Sequence, residues 1–492
     1  MQKSLASFSV AFMAAVSLLS AGCKSPSACC SAPEEPTATS SRPQTPVTLT
    51  IDPNGPGAAI PADFMGLSFE MSRVLADTNG GHYFSATNKA LLKTFHTLGI
   101  KNLRVGGNTV DRPTVPIPSH ADVDNLFAFA KAADIKVIFA LRLRDSTPEA
   151  VVERAKYIAD RYSGNLLYFA VGNEPNVYIK GANATGDYCE QAKKYMAAIN
   201  AVAPQARFCG PGTISGNWST AYARAFAHAD LVKLVTQHNY TGGSAYKVTN
   251  NPAGAIDKML SPAWQESYEK AWNSFVPVAK ESGIPYRLEE ANNFFNGGAK
   301  DVSDTFAAAL WGLDYLYWWA GHDATGVNFH TGDFVAAGER NTPCRYAVFW
   351  SAPDGYAVHP LGYAVKAFSL GSQGRLVPAT LSTNNDNVNL AAYAVIGSQK
   401  ELYVTLINKD HGAAAHDAIV TIAPTQPYRR AKITRLAANQ ITDTTGVTLG
   451  GAEITDAAGW KGKWKTVSAA ENGRFVVNIP AASAAVIRLE AE

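Results

Sequence analysis

From residue 64 the chain repeats one unit: a short apolar or β-branched run, polar residues at its end, then apolar positions at helical spacing. The runs fall at 64–70, 101–107, 136–144, 166–174, 207–213, 231–240, 286–293 and 325–331. Helical patterns between them cover 121–134, 147–162, 187–203, 261–283 and 301–323. Strands alternating with helices of this length predict parallel βαβ units. Eight such units predict an α/β protein with a closed (β/α)8 TIM barrel rather than an open sheet. Thr147 before Pro148 suits a helix start, and Gly283 suits a helix stop. Past about residue 371 the period shortens. Leu402–Asn408 and the runs 418–422, 431–436, 474–479 and 484–489 alternate or are briefly apolar, between Gly, Asn and Asp. They predict an accessory antiparallel β-sandwich, to which 47–51 (VTLTI) should add a strand.

The N-terminus reads differently. Lys3 precedes an uncharged run to Gly22, too short for a comfortable membrane span and shaped like a secretory signal. It ends in Leu19-Ser20-Ala21-Gly22-Cys23, a permissive lipobox with Leu one place early. Either Cys23 is lipidated after cleavage, or an ordinary signal peptide is removed nearby. Residues 24–45 are rich in Pro, Ser, Thr and Ala and cannot bury a core. The expected organisation is a signal peptide over 1–22, a linker over 23–45 and a sandwich strand within 46–60. The barrel follows over 61–370 and the sandwich over 371–492. The expected location is the periplasm or cell surface of a bacterium, with membrane contact only through Cys23.

With 47% hydrophobic and 17% charged residues, the 492-residue chain has ample material for a core. A net charge of +2 gives no bulk electrostatic case for nucleic acid as a partner. Beyond Cys23, Cys29 and Cys30, the remaining cysteines are Cys189, Cys209 and Cys344, far apart and without metal-type spacing. At most one disulfide fits the body of the protein. No cofactor or metal is implied.

Barrel enzymes carry their chemistry at the C-terminal ends of strands. Here those ends hold Glu70, Asn108, Asp111, Arg142, Arg144, Asn173, Glu174, His238, Tyr240, Glu289, Glu290 and His330. HExxH, GxSxG and a Gly-rich phosphate loop are missing from the sequence, which disfavours zinc hydrolysis, serine acyl transfer and nucleotide chemistry. Two carboxylates on strands four and seven remain. Glycosidic bond cleavage needs such a pair, one protonated to release the leaving oxygen and one ionised to attack or shield the anomeric carbon. Asn173 beside Glu174 offers an amide to a sugar 2-OH.

Four blocks make a resemblance specific: LRVGGNTVD (103–111), AVGNEPN (170–176), TQHNY (236–240) and RLEEANNFFNGGAKDVSDTFAAALWGLDYL (287–316). This ordered set resembles glycoside hydrolase family 79, the heparanase and microbial β-glucuronidase family of retaining clan A enzymes. The resemblance implies double displacement on β-linked glucuronic acid. It implies Glu174 as acid/base and Glu290 as nucleophile, with Glu289 the rival because alternation along a strand lets only one of the two point inward. Tyr240 matches a tyrosine that donates to the nucleophile, and Glu70 an acid that binds hydroxyls of the terminal sugar. Asn108 is either a hydroxyl ligand or a turn residue. Arg104 either points at the carboxylates or forms a structural ion pair. His238 and His330 either line the subsite or are satisfied structural histidines. In the family, the uronate carboxylate is bound from the loop after strand eight. Here that loop spans about 331–360 and contains Tyr346, the favoured reader, and Tyr356, with Arg340 and Arg345 as its basic candidates. Trp311, Trp318 and Trp319 are read as core on an amphipathic helix.

The leading expectation is an exo-acting β-glucuronidase that removes terminal glucuronate, with or without a 4-O-methyl group, from a polysaccharide or glycoconjugate. A neutral-sugar clan A hydrolase and an endo-acting heparanase-like enzyme are the alternatives of the same kind. A lipid-anchored carbohydrate-binding protein without catalysis is the alternative of another kind.

Overall fold

The computed structural model describes residues 42–337, 340–382, 388–455, 459–470 and 473–491. The expected signal peptide, Cys23 and nearly all of the expected linker lie outside the described residues. The first strand, β1 (Gln44–Ile51), begins three residues before the run expected for it, 47–51. Eight parallel strands then close into a barrel: β2 (Met65–Glu70), β3 (Asn102–Gly106), β4 (Lys136–Leu141), β5 (Leu166–Val171), β6 (Phe208–Thr213), β7 (Val232–Tyr240), β8 (Tyr286–Asn292) and β9 (Val327–His330). β9 pairs back onto β2, with Met65 opposite Val327. All eight expected runs are strands. They read as nearly unbroken apolar segments because helices cover their outer faces while side chains fill the interior.

The helices are α1 (Lys89–Leu98), α2 (His120–Ala133), α3 (Pro148–Tyr162), α4 (Ala184–Val202), α5 (Gly216–Ala225), α6 (Pro252–Leu260), α7 (Gln265–Glu281), α8 (Phe306–Gly321) and α9 (Pro360–Gly371). Thr147 stands at the N-cap of α3 with Pro148 at its first position, although its side chain makes no capping hydrogen bond. Gly283 follows α7 with φ +69°, a conformation that a β-carbon disfavours.

The sandwich has a four-stranded and a seven-stranded sheet. β1 lies inside the smaller one, antiparallel to Ala379–Ser382 but parallel to Asp417–Pro424, so the sandwich is not wholly antiparallel. The central strand Leu402–Asn408 is buried throughout. Its alternate residues serve two cores: Leu402, Val404 and Leu406 pack in the sandwich, while Tyr403 and Ile407 pack against the barrel's helices.

That second contact corrects the reading of α8. It is not amphipathic: every residue from Phe306 to Tyr317 is buried, and Trp311 and Trp319 are core. The sandwich covers the face that an isolated barrel would leave wet. Thr405 donates to the Tyr317 hydroxyl at 2.9 Å, and Lys409 Nζ donates to Asp314 at 2.8 Å. The loop before residue 450 caps the helix, since the N–H groups of Phe306 and Ala307 donate to the carbonyls of Asp443 and Ile441. Cys189, Cys209 and Cys344 are buried free thiols.

Candidate active site

The C-terminal ends of the barrel strands surround a cavity of about 240 Å³. Glu70, Asn108, Glu174, Tyr240, Glu290, His330 and Tyr346 line it. Val177, Ile214, Phe295, Asn296, Val335 and Ala336 complete the wall and were given no role from the sequence, because they sit on turns, loops and a short hairpin strand that carry no periodic signal. Asn173, Arg104 and His238 lie in the layer beneath, buried and tied to the lining residues. Cys23 lies outside the described residues.

Glu290 ends β8. Its Oε2 accepts from Arg104 Nη1 at 2.6 Å and its Oε1 from the Tyr240 hydroxyl at 2.8 Å. His330 and His238 stand 3.7 and 3.8 Å from its oxygens. Burial alone would push this carboxyl upward. The charges of His330, His238 and Arg104, with the Tyr240 hydrogen bond, outweigh burial and hold it well below the usual carboxylate range. Arg104 also donates to Ser68 Oγ and, at 2.7 Å, to Asn173 Oδ1, so one fully buried guanidinium orients the amide and the carboxylate together.

Glu174 follows β5 in a left-handed conformation, φ +45° and ψ +53°, which is uncommon outside glycine. Its N–H donates to the Gly212 carbonyl at 2.9 Å, which holds the turn. Its Oε1 lies 3.0 Å from His238 Nδ1. One oxygen of Glu174, one nitrogen of His238 and one oxygen of Glu290 all lie within 4.8 Å of one another. Such a triad has the donor set of a cation site. However, both Glu290 oxygens already accept hydrogen bonds, one from Arg104 and one from Tyr240.

Asp111, which drew no role from the sequence, is the hidden support. Its Oδ1 accepts from the N–H groups of Leu143 and Arg144, and its Oδ2 from Asn173 N–H and the Tyr178 hydroxyl. It joins the ends of β4 and β5 to the loop after β3. Its exact spacing from the Asn-Glu pair in sequence carries no signal, since only the fold brings residue 111 to residue 173.

Glu70 is a buried carboxylate. Its Oε2 accepts from the N–H and hydroxyl of Thr109, and its Oε1 from Ala336 N–H. Burial raises its pKa, but His330 and these donors leave it below the ordinary value. A β-carbon on Gly107, at φ +64°, would come within 2.4 Å of Glu70 Oε2. Asn108 donates to the Ala336 carbonyl at 2.7 Å and accepts from Asn173 Nδ2 at 3.2 Å.

The segment after β9 forms two hairpins, β10 (Phe334–Ala337) with β11 (Arg340–Pro343), and β12 (Phe349–Ala352) with β13 (Gly355–Val358). The first carries Ala336 onto Glu70 and Asn108. Tyr346, between the hairpins, faces the cavity with its ring centroid 6.1 Å from that of Tyr240, and burial pushes its phenol well above the usual value. Tyr356 does not face this cavity. With Arg345 and Trp350 it lines a separate cleft of about 660 Å³.

The expectation that only one of Glu289 and Glu290 points inward is overturned. The β7–β8 register slips between Gln237 and His238, so that His238 stands opposite Glu290. A second irregularity lies between Leu288 and Ala291 against β9. This bulge lets both carboxylates turn toward His238. Glu289 Oε1 lies 3.7 Å from His238 Nε2 and accepts from Thr236 Oγ1 at 2.9 Å. Only Glu290 reaches the cavity wall.

Comparison with known proteins now bears on this geometry. Residues 392–486 match the model of the glycosyl hydrolase family 79 C-terminal beta domain. The chain is 26% identical over 194 residues to a beta-glucuronidase of Aspergillus niger, covering 34% of this chain and 35% of that protein. It is 26% identical over 211 residues to the heparanase of Rattus norvegicus, covering 40% of this chain and 38% of that protein. The matches therefore span little more than a third of these curated relatives. Among solved structures, the arabinofuranosidase of family 51 from Xanthomonas axonopodis pv. citri superposes with a TM-score of 0.67 at 15% identity, covering 91% of this chain and all of that one. A 4-O-alpha-L-rhamnosyl-beta-D-glucuronidase from Fusarium oxysporum gives 0.67 at 17% identity, covering 89% of this chain and 99% of that one. At these identities the two structures establish the shared barrel-and-sandwich fold.

Proposed function

We propose that this protein is a member of glycoside hydrolase family 79, a retaining exo-β-glucuronidase that hydrolyses terminal β-linked glucuronate by double displacement. The observation that carries the reading is the meeting of Glu174, just after β5, and Glu290, on β8, across one small cavity, with one oxygen of each no more than 4.8 Å from the other. Retaining enzymes hold their carboxyls about 5–5.5 Å apart, whereas inverting ones need about 6.5–9.5 Å for an intervening water. Glu290, ionised beside Arg104, attacks the anomeric carbon as Glu174 gives its proton to the leaving oxygen. A covalent glycosyl ester on Glu290 results. Glu174 then removes a proton from water, which attacks the same carbon and releases the sugar with its β-configuration kept. Asn173, fixed by Arg104 and Asn108, presents its remaining amide hydrogen to the sugar 2-OH. Glu70, Asn108 and His330 serve the other hydroxyls, and the neutral Tyr346 hydroxyl serves the C6 carboxylate.

The cavity size supports exo action, since about 240 Å³ lies below the roughly 300–1,000 Å³ of ordinary ligand pockets and suits one sugar ring. One observation favours a neutral-sugar substrate instead: among the described residues lining the cavity there is no Lys or Arg. The same feature speaks against sulfated chains. A panel of nitrophenyl β-glycosides decides between the two, with turnover of the glucuronide and none of the glucoside or xyloside supporting the first reading. Release of β-glucuronate before mutarotation, followed by proton NMR, tests retention. Export and lipid attachment at Cys23 complete the proposal. Labelling cells with a palmitate analogue should mark the protein, and the Cys23→Ser variant should lose the mark.

A further inference from the structure

Glu289 takes no part in the two displacement steps, yet it is a carboxylate buried to 1% exposure directly behind the acid/base. Room for it is built in. Gly212, at φ +63°, leaves the space that a β-carbon 2.4 Å from Glu289 Oε1 would fill. Thr236 Oγ1 accepts from Gly212 N–H at 3.1 Å and donates to Glu289 at 2.9 Å. The Gly212 carbonyl in turn accepts from Glu174 N–H. Between the two carboxylates stands the His238 imidazole, with Nδ1 3.0 Å from Glu174 and Nε2 3.7 Å from Glu289. His238 Nε2 and Glu289 Oε2 are both buried, and neither atom has a hydrogen-bond partner among the described residues. The His238 side chain is inaccessible, so Glu174 is the member of this row that meets the cavity.

We propose that Glu289 is a positioning residue that holds His238 as an imidazolium, with Nε2–H toward Glu289 and Nδ1–H toward Glu174. This rests on the reading of Glu174 as acid/base. Glu174 loses its proton to the leaving oxygen in the first half-reaction, and its new carboxylate then accepts from Nδ1–H until the attacking water supplies a proton in the second. His238 itself keeps both protons throughout. In the free enzyme Glu289 shares the task of holding them with Glu290, and it carries the task once Glu290 has become a neutral ester. Burial works against a charged imidazole here, but the charge of Glu290 and the contacts to Glu174 and Glu289 bring His238 up to about 9. The other groups around the row agree. Arg104 and His330 address the far oxygen of Glu290, and the charges of Arg104 and Arg287 also act on Glu289 and keep it ionised, while Cys209, Tyr188 and Tyr222, near Glu289, are kept neutral by burial.

Two measurements test this. Nitrogen-15 spectra of the histidine-labelled enzyme, with His238 assigned by difference from the His238→Gln variant, should show an imidazolium at pH 7. A neutral ring there overturns the proposal without any change to Glu289. The second is the pH profile of kcat/KM on whichever aryl glycoside the wild type cleaves fastest. In Glu289→Gln the imidazole more readily gives up its proton and no longer favours the ionised form of the acid/base, so the alkaline limb should move up by about one pH unit. The Glu289→Asp variant should keep the wild-type limb, and the shift should vanish when Glu289→Gln is placed in the His238→Gln background. An unmoved limb, or an equal shift without His238, overturns the proposal. Wild-type inactivity on every glycoside would instead sink the proposed function and leave the nitrogen-15 result standing.

Discussion

Two arginines are buried inside this barrel, and they live in opposite electrostatic worlds. Arg104, in the middle of β3, spends its donors on Glu290, Ser68 and Asn173. Burial alone would lower its pKa, but the carboxylates of Glu289, Glu290 and Glu70 raise it. Arg287, at the start of β8, donates to Asn328 Oδ1 at 2.7 Å and to the carbonyls of Asp63, Phe64 and Thr325. Its pKa is lowered, burial being the largest cause. Asp63, at 3.6 Å and partly exposed, offsets little of that. One end of the barrel therefore collects countercharged acids around a guanidinium, and the other satisfies a guanidinium with carbonyls and amides. The first arrangement conditions a carboxylate for chemistry, and the second closes a plug.

Substitutions at the two ends should separate these roles. The Arg104→Met variant should lose about 10³-fold in kcat/KM, since a preorganised charge at the reacting carboxylate is removed. Its acid limb should also move to higher pH. Glu290 must be ionised, and without the guanidinium it takes up a proton sooner as the pH falls. Kinetics from pH 4 to 9 check both. The Arg287→Met variant should instead lose about 3 kcal/mol of stability in urea unfolding, because several buried carbonyls lose their donor. Its turnover per folded molecule should stay near wild type. Equal losses of turnover in the two variants would collapse the distinction. The Tyr240→Phe variant should fall by about tenfold in kcat with a smaller acid-limb shift, as one hydrogen bond to a charged group is lost. The smallest effect is expected for Gly107→Ala, which pushes Glu70 aside and should raise KM several-fold with kcat nearly kept.

The two ends were not equally legible in the sequence. The eight barrel strands were, because strands covered on both faces stay apolar for their whole length, as Lys136–Leu141 shows. The strand ends bearing Glu174 and Glu290 were also visible, since polar residues at the close of such a run have few structural uses. Arg287 drew no attention, because its partners are main-chain carbonyls and an asparagine 41 positions away. The bulge at Glu289 and Glu290 could not be seen, since alternation counts residues and a slipped register changes the count. The cover over α8 was hidden for a similar reason: residues 402–409, which bury that helix, lie about ninety positions downstream. The hairpins after β9 depend on turns, and on contacts such as Ala336 with Glu70, that no local pattern announces.

The identity of the attacking carboxylate is the point on which the rest turns. A 2-deoxy-2-fluoro-β-glucuronyl fluoride slows release of the glycosyl ester enough for it to be trapped and located by peptide mass spectrometry. The adduct should lie on Glu290 and be missing from the Glu290→Gln variant, which should also lose on the order of 10⁴-fold or more in turnover while remaining folded. An adduct on Glu289, or on a residue outside the cavity, would contradict the account.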